Sequence, residues 1–240
     1  MTNLNCEQCD VLNKSIFSAI ELCGIKYISN KKCCISYKKG MSIFCSGTMP
    51  SGIYCLNKGK VKIHIYGSIK EHIIRFVMPG HLFGLGTIFT NHFYCCATAI
   101  EDSTVCKINK EDFLSILNGY PNLSLELMTV LGQHVEYSNN KIISIAEKSV
   151  RERLAEGLLS VYNTFYDEFP VSNADISDKA ITLSREDIAN FINTSTESVI
   201  RTLSELKNEG YIIIKGRSIF LKNIKGLMKI AGINVESMTY

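Results

Sequence analysis

The sequence predicts an α+β chain: an N-terminal antiparallel β-roll, a long dimerisation helix and a C-terminal winged helix-turn-helix. Three observations carry this. Short β-prone runs between Gly24 and Lys110 are broken by glycine turns. A helix-periodic apolar run then extends from about Leu123 to Ala146. Finally, Leu183 to Leu203 reads as two short helices across a tight turn, and a hairpin with a basic tip follows.

In order, residues 1–20 form a cysteine-containing segment, 21–118 the roll, 119–148 the long helix and 149–240 the winged unit. Lys39-Gly40, Ser46-Gly47, Lys58-Gly59, Pro79-Gly80 and Gly84-Leu85-Gly86 mark turns. Between them, Met41 to Cys45, Val61 to Tyr66, His72 to Met78 and Thr104 to Ile108 are β-prone. Val61, Ile63 and Ile65 alternate with Lys62, His64 and Tyr66, as on a half-buried strand. Asn109-Lys110-Glu111-Asp112 opens a short helix that Gly119-Tyr120-Pro121 stops. On the long helix, Leu127, Leu131, His134, Ser138, Ile142 and Ile145 fall at three- and four-residue spacing, close to a coiled-coil seam. The polar Ser138-Asn139-Asn140 favours pairing with a second copy over burial in a core. Ser149 and Glu152 form a capping box that starts a new helix through Tyr162, which puts the domain boundary at Lys148-Ser149. Asp167 to Lys179 is a polar connector, and Lys225 to Ala231 is a short final helix.

With 46% apolar and 20% charged residues, the 240-residue chain is globular rather than disordered and long enough for two cores. Its net charge is only +3, so affinity for a polyanion has to come from a local patch. From Ile181 to Lys225, Arg185, Arg201, Lys207, Lys215, Arg217, Lys222 and Lys225 outnumber Glu186, Asp187, Glu197, Glu205 and Glu209. The polar N-terminus lacks a signal-peptide core, and no apolar run approaches the roughly 18 residues of a membrane span. A cytoplasmic location without membrane attachment is expected. The ten cysteines then read as thiols, metal ligands, redox sensors or core residues rather than structural disulfides.

The two-helix unit carries the clearest chemistry. Ile188, Ala189 and Ile192 face Val199, Leu203 and Leu206, and Asn193 suits the positive φ of a tight turn. Arg201 fits guanine O6 and N7, and Glu197 fits cytosine N4, with Thr196 and Ile200 beside them. Ser184, Arg185 and Ser195 sit at helix starts that approach phosphates, and Lys215 and Arg217 form the wing tip. A plainer reading makes Glu197 the carboxylate of a Thr194 capping box and Arg201 a surface partner of Glu197 or Glu205.

This layout resembles the Crp/Fnr family of bacterial transcription regulators along nearly the entire chain. The resemblance implies a cupin-like, cyclic-nucleotide-binding-like roll and a non-enzymatic homodimer that reads double-stranded DNA. It further implies a palindromic operator with TGA-type half-sites and contact with RNA polymerase. Ser184-Arg185 matches the family's phosphate-contacting pair, and Glu197 and Arg201 match its base-reading positions, whereas Thr196 and Ile200 depart from it.

The cyclic-AMP branch of the family holds its nucleotide with a Glu and an Arg-Ser pair. Here Leu85 replaces the Glu and Cys95-Cys96 the pair, while Ser138 and Asn139 keep the helix positions that touch the base. Cyclic AMP is therefore not the expected effector. The oxygen-sensing branch holds an iron–sulfur cluster on three N-terminal cysteines and one in the roll. Cys6, Cys9 and Cys106 match three of these, and Ser15 stands where the third N-terminal cysteine is expected. Cys23, an oxygen ligand or an external ligand fills the gap, or no cluster forms. Cys6 and Cys9 also suit zinc or a reversible disulfide. Haem is a lesser alternative, with His64, His72, His81, His92 or His134 available. Rival readings are an effector-free DNA-binding or interaction module and a cupin-like metal enzyme, the latter disfavoured because those histidines lack an HxH motif.

Overall fold

The computed structural model describes residues 5–166 and 179–233, so the expected connector lies outside the described residues except for Lys179. Residues through Tyr137 form one compact unit and those from Ser138 a second. That division falls inside the long helix; Lys148-Ser149 instead marks the junction between two helices.

The first unit opens with 3-10 turns at Cys6–Gln8, Leu12–Lys14 and Ile16–Ala19, then α1 (Leu22–Lys31). The stretch after Gly24, expected to be the start of the roll, is therefore helical at first. Gly24 lies inside α1, where a Cβ would come within 2.7 Å of the Tyr120 ring. Eight strands follow: β1 (Cys33–Tyr37), β2 (Ser42–Phe44), β3 (Ile53–Lys58), β4 (Val61–Tyr66), β5 (Glu71–Val77), β6 (Leu82–Phe83), β7 (Cys96–Ala99) and β8 (Ser103–Ile108). They make two antiparallel sheets, ordered β1-β8-β3-β6 and β2-β7-β4-β5. Phe44, Tyr54, Phe83, Phe93 and Val105 pack in one core cluster of the roll, with the Phe44 and Phe93 rings stacked at 3.8 Å. The alternation expected on β4 breaks after Ile63. A register shift against β5 turns His64 inward and Ile65 outward.

The helices α2 (Lys110–Gly119) and α3 (Pro121–Glu147) complete this layout. Leu123 and Leu127 of α3 are buried with Phe17, Ile28, Ile108 and Phe113, and Leu131 packs on the same cluster. The seam expected at Leu127, Leu131 and His134 is thus partly an internal packing face. The open apolar face of α3 is a different stripe. Leu125, Met128, Val135 and Ile142 are each more than half exposed, and Gly132 and Asn139 complete a three-four heptad spacing.

In the second unit, α4 (Val150–Tyr166) begins with the expected capping box. Ser149 N donates to Glu152 at 2.7 Å, and Glu152 N to Ser149 Oγ at 3.3 Å. The helices α5 (Arg185–Ile192) and α6 (Thr196–Asn208), the hairpin β9 (Ile212–Lys215) and β10 (Ser218–Leu221), and α7 (Ile224–Ala231) follow. An isolated bridge between Ile181 and Ile219 adds backbone pairing to the hairpin. A Cβ on Gly157 of α4 would lie 2.6 Å from Ile192, so this glycine lets α4 and α5 pack closely. Arg153 donates to the Ile192 carbonyl at 3.0 Å and to the Lys148 carbonyl at 2.6 Å, tying both helix ends to α4.

Lys141 of α3 lies 4.1 Å from the Phe191 ring centroid, and burial brings its pKa from 10.5 to about 7. Between these values the unfolded chain holds a proton that the folded chain has shed. Stability therefore rises with pH across that window, and below pH 7 the folded state carries the full cost of the buried charge. Lys141→Met is expected to raise the melting temperature at pH 7 by several degrees and to flatten its rise towards pH 10. Thermal melts at pH 7 and 9 check both effects; a wild-type melting temperature that is flat over this range contradicts them.

Candidate nucleic-acid interface and thiol site

The turn between α5 and α6 is built by local chemistry. Ser184 Oγ accepts from Asp187 N at 2.9 Å and caps α5. Asn193 closes that helix at φ 57°, the sole non-glycine residue among those described with positive φ, and Thr194 N donates to the Ala189 carbonyl. The cap of α6 is Ser195, whose Oγ accepts from Ser198 N at 3.2 Å; Thr194 is not the cap residue. The Thr194 capping box, the plainer alternative for Glu197, does not form, because Ser195 is the residue in extended conformation immediately before the first helical turn. Glu197 is fully exposed, and its own backbone N–H, then the Ser195 hydroxyl, holds its carboxyl below the usual pKa.

Val199, Thr202, Leu203 and Leu206 bury one face of α6. Glu197, Ile200, Arg201 and Ser204 lie along the other, one or two turns apart and all exposed. Thr196 is half-buried at the first turn. Arg201 Nε stands 4.0 Å from Glu205 Oε1, an exposed pair too loose to hold the guanidinium. Ser204 was not among the expected reading residues; its spacing of seven from Glu197 was the available signal. The wing tip exposes Lys215 and Arg217. Arg185 donates from Nη1 to the Arg217 carbonyl at 3.3 Å, linking the start of α5 to the wing.

The candidate effector residues of the roll lie in apolar surroundings. Leu85 is buried in the cluster with Leu82 and Ile88, and Cys95 in the cluster with Phe93 and Ala97. Cys96 accepts from Ser46 N at 3.3 Å, while Ser138 and Asn139 are exposed on α3. Burial pushes the Cys95 thiol up to about 11. A cation does stand near Cys95, but it comes from β5. Burial lowers the Arg75 pKa, and Tyr94, Cys95 and Tyr137 are its electrostatic neighbours. Burial, and then Arg75, lower His134 to about 4, leaving it neutral at pH 7. Arg75 escaped sequence reasoning because an arginine in a half-buried strand carries no motif.

The cysteines are more revealing. Cys34 and Cys106 are register partners on β1 and β8, and Cys55 and Cys106 on β3 and β8. The Cys34 and Cys106 sulfurs are 2.9 Å apart, and Lys32 Nζ lies 3.5 and 3.9 Å from them. Lys32 also hydrogen-bonds Cys6. Burial opposes the Lys32 charge, but Cys106, Cys6 and Cys34 outweigh it and its pKa stands above the ordinary value. Cys9 accepts from Asn57 Nδ2 at 3.4 Å. Burial pushes Cys55 up to about 12 against a hydrogen bond from Ser15, with Cys9, Cys6 and Lys32 nearby. Gly80 (φ 94°) makes room for this N-terminal segment, since a Cβ there would lie 2.7 Å from Lys14 Cβ. Cys23 stands apart. It is exposed, and its sulfur engages Tyr120 at 3.3 Å and Glu21 at 3.8 Å, because it sits at the start of α1 rather than on the preceding turns. Among the described residues, no three His, Cys, Asp or Glu side chains are already arranged around a single metal ion.

A roll with this topology, followed by a long helix and a winged two-helix unit whose second helix leaves one face exposed, is the layout of a DNA-binding regulator. The profile of cyclic nucleotide-binding domains matches residues 34–120, and that of Crp-like helix-turn-helix domains matches residues 152–230. The chain belongs to the Crp/Fnr family of transcription regulators, which are not enzymes. It is 26% identical over 233 residues to the fumarate and nitrate reduction regulatory protein of Salmonella typhi, covering 95% of this chain and 91% of that one. FixK2 of Bradyrhizobium japonicum has a similar structure, with a TM-score of 0.72, 23% identity and coverage of 83% and 96%. The c-di-GMP responsive regulator CLP of Xanthomonas campestris shares the fold at TM-score 0.71 and 16% identity, covering 84% of this chain and 99% of that one. No described helix is long and apolar enough to cross a membrane.

Proposed function

We propose that this chain is a homodimeric, sequence-specific transcription regulator of the cytoplasm that reads redox state through the thiols around Lys32 and answers on a palindromic operator. The observation that carries the DNA reading is the exposed stripe Glu197–Ile200–Arg201–Ser204, capped by Ser195 at its start. Arg201 supplies two donors for guanine, Glu197 an acceptor for cytosine, and Ser184, Arg185, Ser195, Lys215 and Arg217 orient the unit on phosphates. The heptad stripe of α3 supplies the pairing face, and the two copies then present their α6 helices to half-sites a helical turn or more apart.

For the signal, the residues present fit an iron–sulfur cluster better than a cyclic nucleotide. Cys6 and Cys106 share Lys32 as a neighbour, and Cys9 is an electrostatic neighbour of Cys6. A bound cluster supplies oxygen- or redox-sensitive thiolate ligation, and Lys32 offsets its negative charge. A second reading, an anionic small molecule held at Arg75, rests on that buried cation beside Cys95 and Tyr137. Mobility-shift assays with a TGA-type palindrome, under anaerobic and aerated conditions, test the proposal. Binding that differs between the two conditions supports it. Equal binding in both conditions removes the redox signal, and absence of preference over random DNA removes the operator reading.

A further inference from the structure

We propose that Cys55 is the fourth ligand of the iron–sulfur site, so that Cys6, Cys9, Cys55 and Cys106 form the complete thiolate set. This rests on the cluster reading above. Four thiolates are what a four-iron cluster ordinarily uses, and the N-terminal segment brings only two cysteines to the roll. The place of the missing one is taken by Ser15, which is buried, and its neighbour across the gap is a cysteine: Ser15 hydrogen-bonds Cys55. The thiol absent from the chain segment is therefore present on the sheet beneath it.

Three relations single out Cys55 among the spare cysteines. Like Cys34, it is a register partner of Cys106 on β8, so strand pairing fixes these two relative to each other. It is also an electrostatic neighbour of both Cys6 and Cys9. Finally, Asn57, two residues along β3, donates to Cys9 and holds the N-terminal segment over the same strand. Cys34 meets only part of this. It touches Cys106 and Lys32, but it lies on the far side of β8 from β3. Its role is that of a neighbouring thiol. Cys23 is held by Tyr120 and Glu21.

The sulfurs are not gathered tightly enough for one ion, which at metal–sulfur bonds of about 2.3 Å needs four ligands close together. A cluster separates its thiolates by its own width and makes the lesser demand. Lys32 sits among these thiols and supplies the cation that an anionic guest requires.

The test uses the full-length protein purified without oxygen, with iron, acid-labile sulfide and visible absorption measured on each sample. The wild-type protein, Cys34→Ala and Cys23→Ala are expected to carry equal iron and sulfide. Cys55→Ala is expected to fall to background. Cys55→Ser keeps the side-chain size and serves where the alanine variant melts early; it too is expected to fall to background. Adding Ser15→Cys to Cys55→Ser restores the content by returning a thiol to the other side of the same contact. Wild-type content in Cys55→Ser, or loss in Cys34→Ala or Cys23→Ala instead, overturns the assignment of Cys55. Iron-free wild-type protein, even after anaerobic reconstitution with iron and sulfide, overturns the cluster reading itself.

Discussion

Replacing Arg201 with alanine is expected to remove discrimination at one guanine of each half-site while leaving binding to random DNA nearly intact. Arg201 is exposed on the free face of α6, and its nearest acid, Glu205, is 4.0 Å away. Its guanidinium is free to make the bidentate contact, which is worth about 1–3 kcal/mol of discrimination, roughly 5- to 150-fold per half-site. Lys215→Ala provides the contrast. It removes a charge from the wing tip and is expected to weaken operator and random DNA alike, lowering the salt dependence by about one ion. Competition binding with single-base operator variants separates the two. Equal loss on operator and random DNA for Arg201→Ala excludes Arg201 as a base reader.

Placing a charge in the α3 seam is expected to have the larger effect. Val135 is more than half exposed in the single chain, so Val135→Glu removes little from the unit that contains it. Exposed substitutions of this kind usually change stability by about 0.5 kcal/mol or less. Two glutamates meeting across a paired seam repel each other in a place where apolar contact is required. The variant is expected to sediment as a monomer with a near-wild-type melting temperature. Its affinity for a two-half-site operator falls by about 100-fold or more, because the second half-site no longer binds as part of the same molecule. A Val135→Glu protein that sediments at the same mass as a dimeric wild type shows that the interface lies elsewhere.

The two-helix unit was legible because its determinants are local. Asn193 at positive φ, Ser184 as a cap, and the four-residue spacing of Glu197 and Arg201 all act within a turn or two of their own backbone. Even there two cap residues stayed open, since Thr194 and Ser195 both carry the required hydroxyl and only backbone conformation separates them. The long helix was legible as a helix but not by face. Two stripes, one through Leu127 and one through Leu125, satisfy the same spacing, and only packing against Phe113 and Ile108 decides which is covered. β3 was missed because Cys55 and Asn57 interrupt its apolar run, and α1 because Gly24 reads as punctuation until Tyr120 is seen above it. The thiol site was the least legible. Its sequence signal was Cys6, Cys9 and Cys106, with Cys23 offered for the missing ligand, and Cys23 instead engages Tyr120 and Glu21. Cys34 and Cys55 join them only through pairing of β1 and β3 with β8, a long-range relation that no local pattern encodes.

Asn139 lies in the exposed heptad stripe, between Val135 and Ile142. When two copies pair in register, each amide meets its counterpart and both are satisfied. Against a related regulator with an apolar residue at that level, the same amide would lose water and gain no partner, at a cost of about 1–3 kcal/mol. Pairing out of register carries the same penalty. On the pairing proposed above, the residue would favour like pairs over mixed ones in a cell that makes several proteins of this fold, and each circuit would then keep its own operator.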